Sequence, residues 1–155
     1  MQVRPFQPDD AAACAQVYFR AVRDGAVRYY SDAQRRAWAP ETPDSTALGE
    51  KLLNAETFVA VRDGEVVGFM SMTRAGHIDL AFVLPDEMGR GTADALYAAL
   101  LNRAVSLGIA ELTVDASHLA RSFFLRHGWI AGPAETIIRN EVSLSRTFMS
   151  LNLRK

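Results

Sequence analysis

Between residues 77 and 116 the chain reads as strand, loop, long amphipathic helix and strand, the single unit of that kind in its 155 residues. Strands joined through a helical crossover lie parallel, whereas strands joined by a short turn lie antiparallel. The first of them, His77-Ile78-Asp79-Leu80-Ala81-Phe82-Val83-Leu84, is closed by Pro85. From Ala93 onward, apolar residues recur at Leu96, Tyr97, Leu100, Leu101, Ala104 and Val105, one face of an α-helix that Gly108 stops. The second strand covers 111–116. One parallel pair is therefore required in the middle of the chain.

Hairpin signals flank that unit. The β-rich runs 57–61 and 65–73 are joined by Asp63-Gly64, a two-residue turn signature. Two further β-rich runs, near 129–139 and 142–153, close the chain. Upstream, an edge strand at 2–6 is stopped by Pro8, and Asp9 or Asp10 can cap a helix to about residue 22. Ser31 precedes a helix at 32–39, and Pro43-Asp44-Ser45 opens another that ends near 54. Ser117 caps a helix to about 127, ended by Gly128. The expected fold is α+β: a mixed, mostly antiparallel sheet of about seven strands flanked by helices in α/β/α layers. No repeat or linker divides it, so a single domain over 1–155 is expected.

Composition narrows the classes of function. Hydrophobic residues make up 49% and charged residues 23%, a globular balance. The net charge of −1 argues against broad capture of nucleic acid or an anionic membrane. The one cysteine, Cys14, has no internal partner, which points to a reducing cytoplasm. The N-terminus lacks the pattern of a signal peptide, and no run approaches a membrane span. A soluble cytoplasmic protein is expected, with neither nucleic acid nor membrane as partner.

The most informative stretch is Pro85-Asp86-Glu87-Met88-Gly89-Arg90-Gly91-Thr92-Ala93-Asp94. Two glycines stand where a loop enters a long helix. The first N–H groups of a helix have no partner inside it, and the helix dipole adds to their attraction for anions. Glycine removes side chains that would hold a phosphate away. On the turn alone, anion binding and a merely structural turn both fit. A P-loop would need Gly-Lys-Ser/Thr, which is absent. A dinucleotide fingerprint wants a small residue where Asp94 stands, and too little chain remains downstream for a second half.

Met88-Gly89-Arg90-Gly91-Thr92-Ala93 resembles the Gln/Arg-x-x-Gly-x-Gly/Ala motif of GNAT acyltransferases, with Met88 in place of the first polar residue. Downstream, Ser117-His118-Leu119-Ala120-Arg121-Ser122-Phe123-Phe124-Leu125-Arg126-His127-Gly128-Trp129 resembles the family's strand-to-helix segment. Tyr30-Ser31 and Trp38-Ala39 add a narrower resemblance to small bacterial members. The resemblance implies an acyl-CoA-dependent N-acyltransferase, in the first instance acetyl-CoA-dependent. Its acceptor would be a primary amine of a small molecule or peptide, and no metal is implied. The rival is a non-catalytic acyl-CoA-binding or sensor module of the same fold. By analogy of fold, the last strands pair across a homodimer.

The resemblance also implies roles. The turn Met88, Gly89, Arg90, Gly91, Thr92 and Ala93 would grip the pyrophosphate. The pantetheine arm would run along Phe82, Val83 and Leu84, with the N–H of Val83 or Leu84 polarising the thioester carbonyl. Ser117 is both a helix cap and a contact for the arm. Phe124 stands where the family often has a proton-donating tyrosine, leaving water, Ser117 or Tyr97 to replace it. Asp79, expected on the face shared by Ala81 and Val83, is either the proton acceptor or the partner of a cation. His118 is the alternative base, and His77 a weaker one. Tyr29, Tyr30 and Trp38 are the candidate lining of the acceptor pocket.

Overall fold

The structure is a computed structural model that describes residues 1–154. Seven strands form one sheet: β1 (Gln2–Pro5), β2 (Glu56–Arg62), β3 (Glu65–Met72), β4 (His77–Val83), β5 (Glu111–Ser117), β6 (Ile130–Arg139) and β7 (Val142–Asn152). They lie in the order β1-β2-β3-β4-β5-β7-β6, and β4–β5 is the one parallel pair. The α-helices are α1 (Ala11–Arg23), α2 (Asp32–Trp38), α3 (Ser45–Leu53), α4 (Thr92–Ser106) and α5 (His118–Arg126). The strand and helix order expected from the sequence is the order found. No helix among the described residues is long and apolar enough to cross a membrane.

Local chemistry accounts for most element ends. Asp63 and Gly64 take positive φ, 54° and 78°, as a tight hairpin turn between twisted strands requires. Ser31 and Gln34 form a reciprocal capping box at α2, and the Asp44 carboxylate accepts the N–H of Thr46 and Ala47 at α3. Ser117 Oγ accepts the Ala120 N–H at the start of α5. Asp10 behaves otherwise. A short 3-10 turn, Pro8–Asp10, precedes α1, and the Asp10 side chain does not cap that helix. Its carboxylate instead takes two hydrogen bonds from the Arg4 guanidinium, at 2.8 and 3.0 Å, and one from the Gln7 N–H. A bidentate charged pair outcompetes a single cap bond.

Alternation along β3 feeds two cores. Met70 and Met72 join Leu96, Leu100, Phe124 and Met149 beneath α4 and α5. Phe69 joins Val17, Leu52 and Val59 beneath α1 and α3. Phe69 is fully buried, worth about 1.5–3 kcal/mol relative to exposure. At Gly68 a Cβ would stand 2.9 Å from Val83 Cγ1 and 3.2 Å from Leu96 Cδ1, so glycine lets α4 approach the sheet. That contact fixes the start of α4 against the end of β4.

Candidate active site

After β4 the chain forms a 3-10 turn at Pro85–Glu87, and then Gly89 and Gly91 take positive φ, 77° and 83°. A Cβ on either would meet no atom within 4 Å. The requirement for glycine is thus conformational, and the space above the turn is open. The Arg90 N–H reaches Glu87 O at 3.2 Å, and Ala95 N–H reaches Gly91 O at 3.0 Å. Those of Gly89, Gly91, Thr92, Ala93 and Asp94 have no hydrogen-bond acceptor among the described residues. Gly89, Arg90 and Gly91 are exposed, whereas the Thr92 side chain is buried.

Glu87 holds this turn from below. Its side chain is only 5% exposed. Oε1 accepts from Thr92 Oγ1 at 2.7 Å and from Arg62 Nε at 3.1 Å, and Oε2 accepts from Arg90 Nη1 at 3.2 Å. Burial pushes this carboxyl's pKa up, but the Thr92 and Arg62 hydrogen bonds and two guanidinium charges outweigh it and hold the pKa below the ordinary value. Arg90 is therefore tethered to Glu87. Met88 is 40% exposed, and its methyl lies near Gly25 after α1.

Beside the C-terminal half of β4 lies a gap. The parallel pairing of β4 with β5 covers only His77↔Thr113 and Ile78↔Val114, after which the strands part. The β3–β4 register shifts between Ser71↔Leu80 and Met72↔Ile78, which leaves Asp79 as a bulge. The bulge reverses the alternation of the strand beyond it: Ile78 and Ala81 face the α4 core, whereas Leu80 and Phe82 face the α1 core. Asp79 is thus not aligned with Ala81 and Val83 as simple alternation predicts. Its Oδ2 lies 2.8 Å from Lys51 Nζ on α3, with both side chains partly exposed. The Leu84 N–H donates to Val67 O at 2.8 Å and is not free to polarise a carbonyl. The antiparallel alternation then turns the N–H groups of Ala81 and Val83 toward the gap.

The gap opens into a cleft of about 580 Å³. Tyr18, Tyr30, Trp38 and Phe82 form its aromatic wall, with Tyr18–Phe82 centroids 4.7 Å apart and Tyr30–Trp38 centroids 5.3 Å apart. Asp79, Ser117 and Phe124 also line it, whereas Val83, Leu84 and the glycine turn lie outside its lining. Tyr29 is 43% exposed, lies near Arg28 and does not line the cleft. The His118 ring is exposed and outside the lining too, so that residue faces the site with its main chain. Phe124 is 1% exposed and packs on Trp129. Tyr97 is also in that core, its hydroxyl accepting from Trp129 Nε1 at 2.9 Å, and it is spent there.

Tyr30 is the best-held polar group at the inner end. It is 5% exposed, its hydroxyl accepts the His118 N–H at 2.8 Å, and that hydroxyl donates to Ser145 O at 3.3 Å. Burial pushes the phenol's pKa up, partly offset by the His118 N–H and the Ser117 side chain, so it stays protonated near neutrality. Sequence reasoning passed over several other cleft residues. Lys51 lies on α3, Glu41 lies in the loop after α2, and Asp115 lies on β5 with Oδ2 3.6 Å from His77 Nε2. None of these belongs to a local motif, so no signal in the sequence marked them. Glu87, one residue before the glycine motif, was at hand but reads as an ordinary loop acid.

Comparison with known proteins places this geometry. The family model described as "Acetyltransferase (GNAT) domain" matches residues 26–150. The uncharacterised N-acetyltransferase YafP of Escherichia coli (strain K12) is 37% identical over 129 residues, covering 83% of this chain and 81% of the relative. The crystal structure of a GCN5-related N-acetyltransferase from Rhodopseudomonas palustris superposes with a TM-score of 0.91 at 34% identity, covering 98% of this chain and 95% of that one. The Salmonella typhimurium yncA structure, solved with its cofactor acetyl-CoA, has the same fold, with a TM-score of 0.75 at 22% identity over 100% of this chain and 95% of that one.

Proposed function

The chain belongs to the GNAT acetyltransferases, and from that premise we propose that it moves an acyl group, acetyl in the first instance, from acyl-CoA to a primary amine. The observation that carries this reading is a pair of features along β4 and just beyond it. Past the strand's C-terminal end stands a turn with five free N–H groups, and beside the strand's C-terminal half, from Asp79 onward, a gap opens between it and β5. A diphosphate suits the first and an extended arm ending in a thioester suits the second. The solved complex of yncA with acetyl-CoA supports the choice of donor.

In this reading Gly89, Gly91, Thr92, Ala93 and Asp94 offer their N–H groups to the pyrophosphate. The arm lies beside Val83 and Ser117. The acceptor enters through the aromatic cleft, and its nitrogen attacks the thioester carbonyl. The N–H groups of Ala81 and Val83 stabilise the developing oxyanion. Asp79 takes the nitrogen's proton, its half-exposed pair with Lys51 opening at little cost. As the C–N bond forms and the C–S bond breaks, the sulfur keeps the electron pair. The Tyr30 hydroxyl, turning its one proton from Ser145 O, donates a hydrogen bond to it, which Phe124 cannot do. The nearby N-terminus of α5 also favours the thiolate.

Phe124 favours a second reading, a module that binds acyl-CoA without transferring its acyl group. Calorimetric titration with acetyl-CoA, followed by thiol release in the presence of a panel of primary amines, separates the two. The transferase reading expects saturable binding and amine-dependent thiol release. Binding with no release on any amine supports the module, and absence of binding sinks both.

A further inference from the structure

Nearly every charged side chain on the cleft wall is already answered. Lys51 pairs with Asp79 at 2.8 Å, and His77 lies 3.6 Å from Asp115. Asp44 caps α3, and Arg146 pairs with Glu135 across the β6–β7 hairpin. Glu41 and Arg139 are different: both line the cleft, yet neither makes an ion pair or side-chain hydrogen bond among the described residues, and Arg139 is the unpaired cation of the two.

The hairpin register explains where it points. Glu135↔Arg146, Ile137↔Leu144 and Arg139↔Val142 are successive pairs on one face, and Ile137 and Leu144 line the cleft. Ile138, on the opposite face, is 74% exposed. Arg139 shares the lining face but is itself exposed, so it stands at the mouth of the cleft, and its cross-strand neighbour is the apolar Val142, which offers no countercharge. The hairpin is also fixed in place: Asn140 Nδ2 donates to Ala37 O at 2.7 Å, and Gln34 Nε2 donates to Ser143 O at 3.2 Å. Its charge reaches the cleft interior, where burial pushes the Tyr18 phenol up and Arg139 opposes that push.

We propose that the acceptor amine carries one anionic group, a carboxylate in the simplest case, and that Arg139 receives it. This rests on the transferase reading above and names its substrate class. The cleft then holds an amino-acid-like molecule lengthwise. Its amine points inward to Asp79, its body lies against Tyr18 and Trp38, and its anion sits at Arg139. A guanidinium presents two parallel donors that match a carboxylate or a phosphonate. Glu41, on the lip between α2 and α3, adds the opposite sign and draws in the ammonium end.

The test compares matched acceptors that differ in charge: ω-amino acids of increasing chain length against their primary amides, and aminoalkylphosphonates against neutral amines of equal length. Thiol release from acetyl-CoA is measured for the wild type, Arg139→Gln and Arg139→Lys. The wild type is expected to prefer the anionic member about tenfold or more in kcat/KM, through KM. Arg139→Gln erases that preference without changing the KM for acetyl-CoA, and Arg139→Lys restores part of it. Equal use of acid and amide by the wild type, or equal loss on both in Arg139→Gln, overturns the assignment. Failure of the transferase reading shows separately, as bound acetyl-CoA with no thiol released. Calorimetry of the same acceptor pairs, with coenzyme A present, then decides the anion by the same acid-over-amide criterion.

Discussion

The turn beyond β4 and the gap beside it are built from different materials. In the turn, five main-chain N–H groups over the six residues from Gly89 to Asp94 form a site whose working atoms are common to every amino acid but proline. In the gap, the N–H groups of Ala81 and Val83 are joined by side chains from α1, the segment before α2, α3, β4, β5 and the β6–β7 hairpin. The first site depends on backbone conformation, and the second on which side chains converge. They should therefore fail differently: the turn to changes in φ or bulk, the cleft to changes in chemical type.

The sharpest way to break that contrast is Gly91→Glu. It forces a Cβ and a carboxylate into a left-handed position over the free N–H groups, and should weaken coenzyme binding by more than about 100-fold by calorimetry. Far-ultraviolet dichroism should be unchanged, because a Cβ there meets nothing within 4 Å. Glu87→Ala attacks the same turn from below. Stripped of their carboxylate, Arg62 and Thr92 should cost about 3 kcal/mol in urea denaturation, with weaker coenzyme binding as well. Asp79→Asn tests the cleft. It should lower kcat/KM about 100-fold while the dissociation constant for coenzyme A stays put; a parallel loss of binding would mean that turn and cleft are one site.

Tyr30→Phe should cost about tenfold in kcat, and less with an aryl thioester, whose sulfur leaves without help. An equal loss on both donors would reduce Tyr30 to a brace for α5. The smallest effect concerns the far edge of the sheet. The Arg4 hydrogen bonds hold the Asp10 carboxyl below its ordinary pKa against the upward push of burial. A depressed folded pKa contributes stability that is complete above the unfolded value, near roughly 3.9, and is lost as pH falls through the folded value. Asp10→Asn should remove about 1 kcal/mol at neutral pH and flatten the acid limb of the stability profile, leaving the glycine turn and the cleft untouched.

The contrast also explains which site could be read in advance. The glycine turn, the Asp63-Gly64 hairpin and the caps at Ser31, Asp44 and Ser117 are local, settled within a few residues of chain. The succession of strands and helices along the chain came from them and from the crossover of α4, whereas the place of β7 between β5 and β6 did not. Local reading failed where a neighbour decides. Asp79 left its expected face because β3 and β4 shift register there. Leu84 lost its N–H to Val67, and Asp10 left its helix for Arg4. Tyr29 and Tyr30 are adjacent and identical in chemistry, yet one is 43% exposed and the other 5%.

By itself, then, the sequence determined the period of each segment, the points where the chain turns, and the left-handed positions that only glycine takes easily. These are properties of short stretches, where steric limits on φ and ψ and the reach of a capping side chain act without outside help. Only the tertiary structure decided where β4 and β5 part, which tyrosine turns inward, and that Lys51, Asp79, Tyr30 and Arg139 share one cleft. Those outcomes depend on contacts between residues far apart in the chain. Their energy exists only once the sheet is assembled, so no short stretch encodes it.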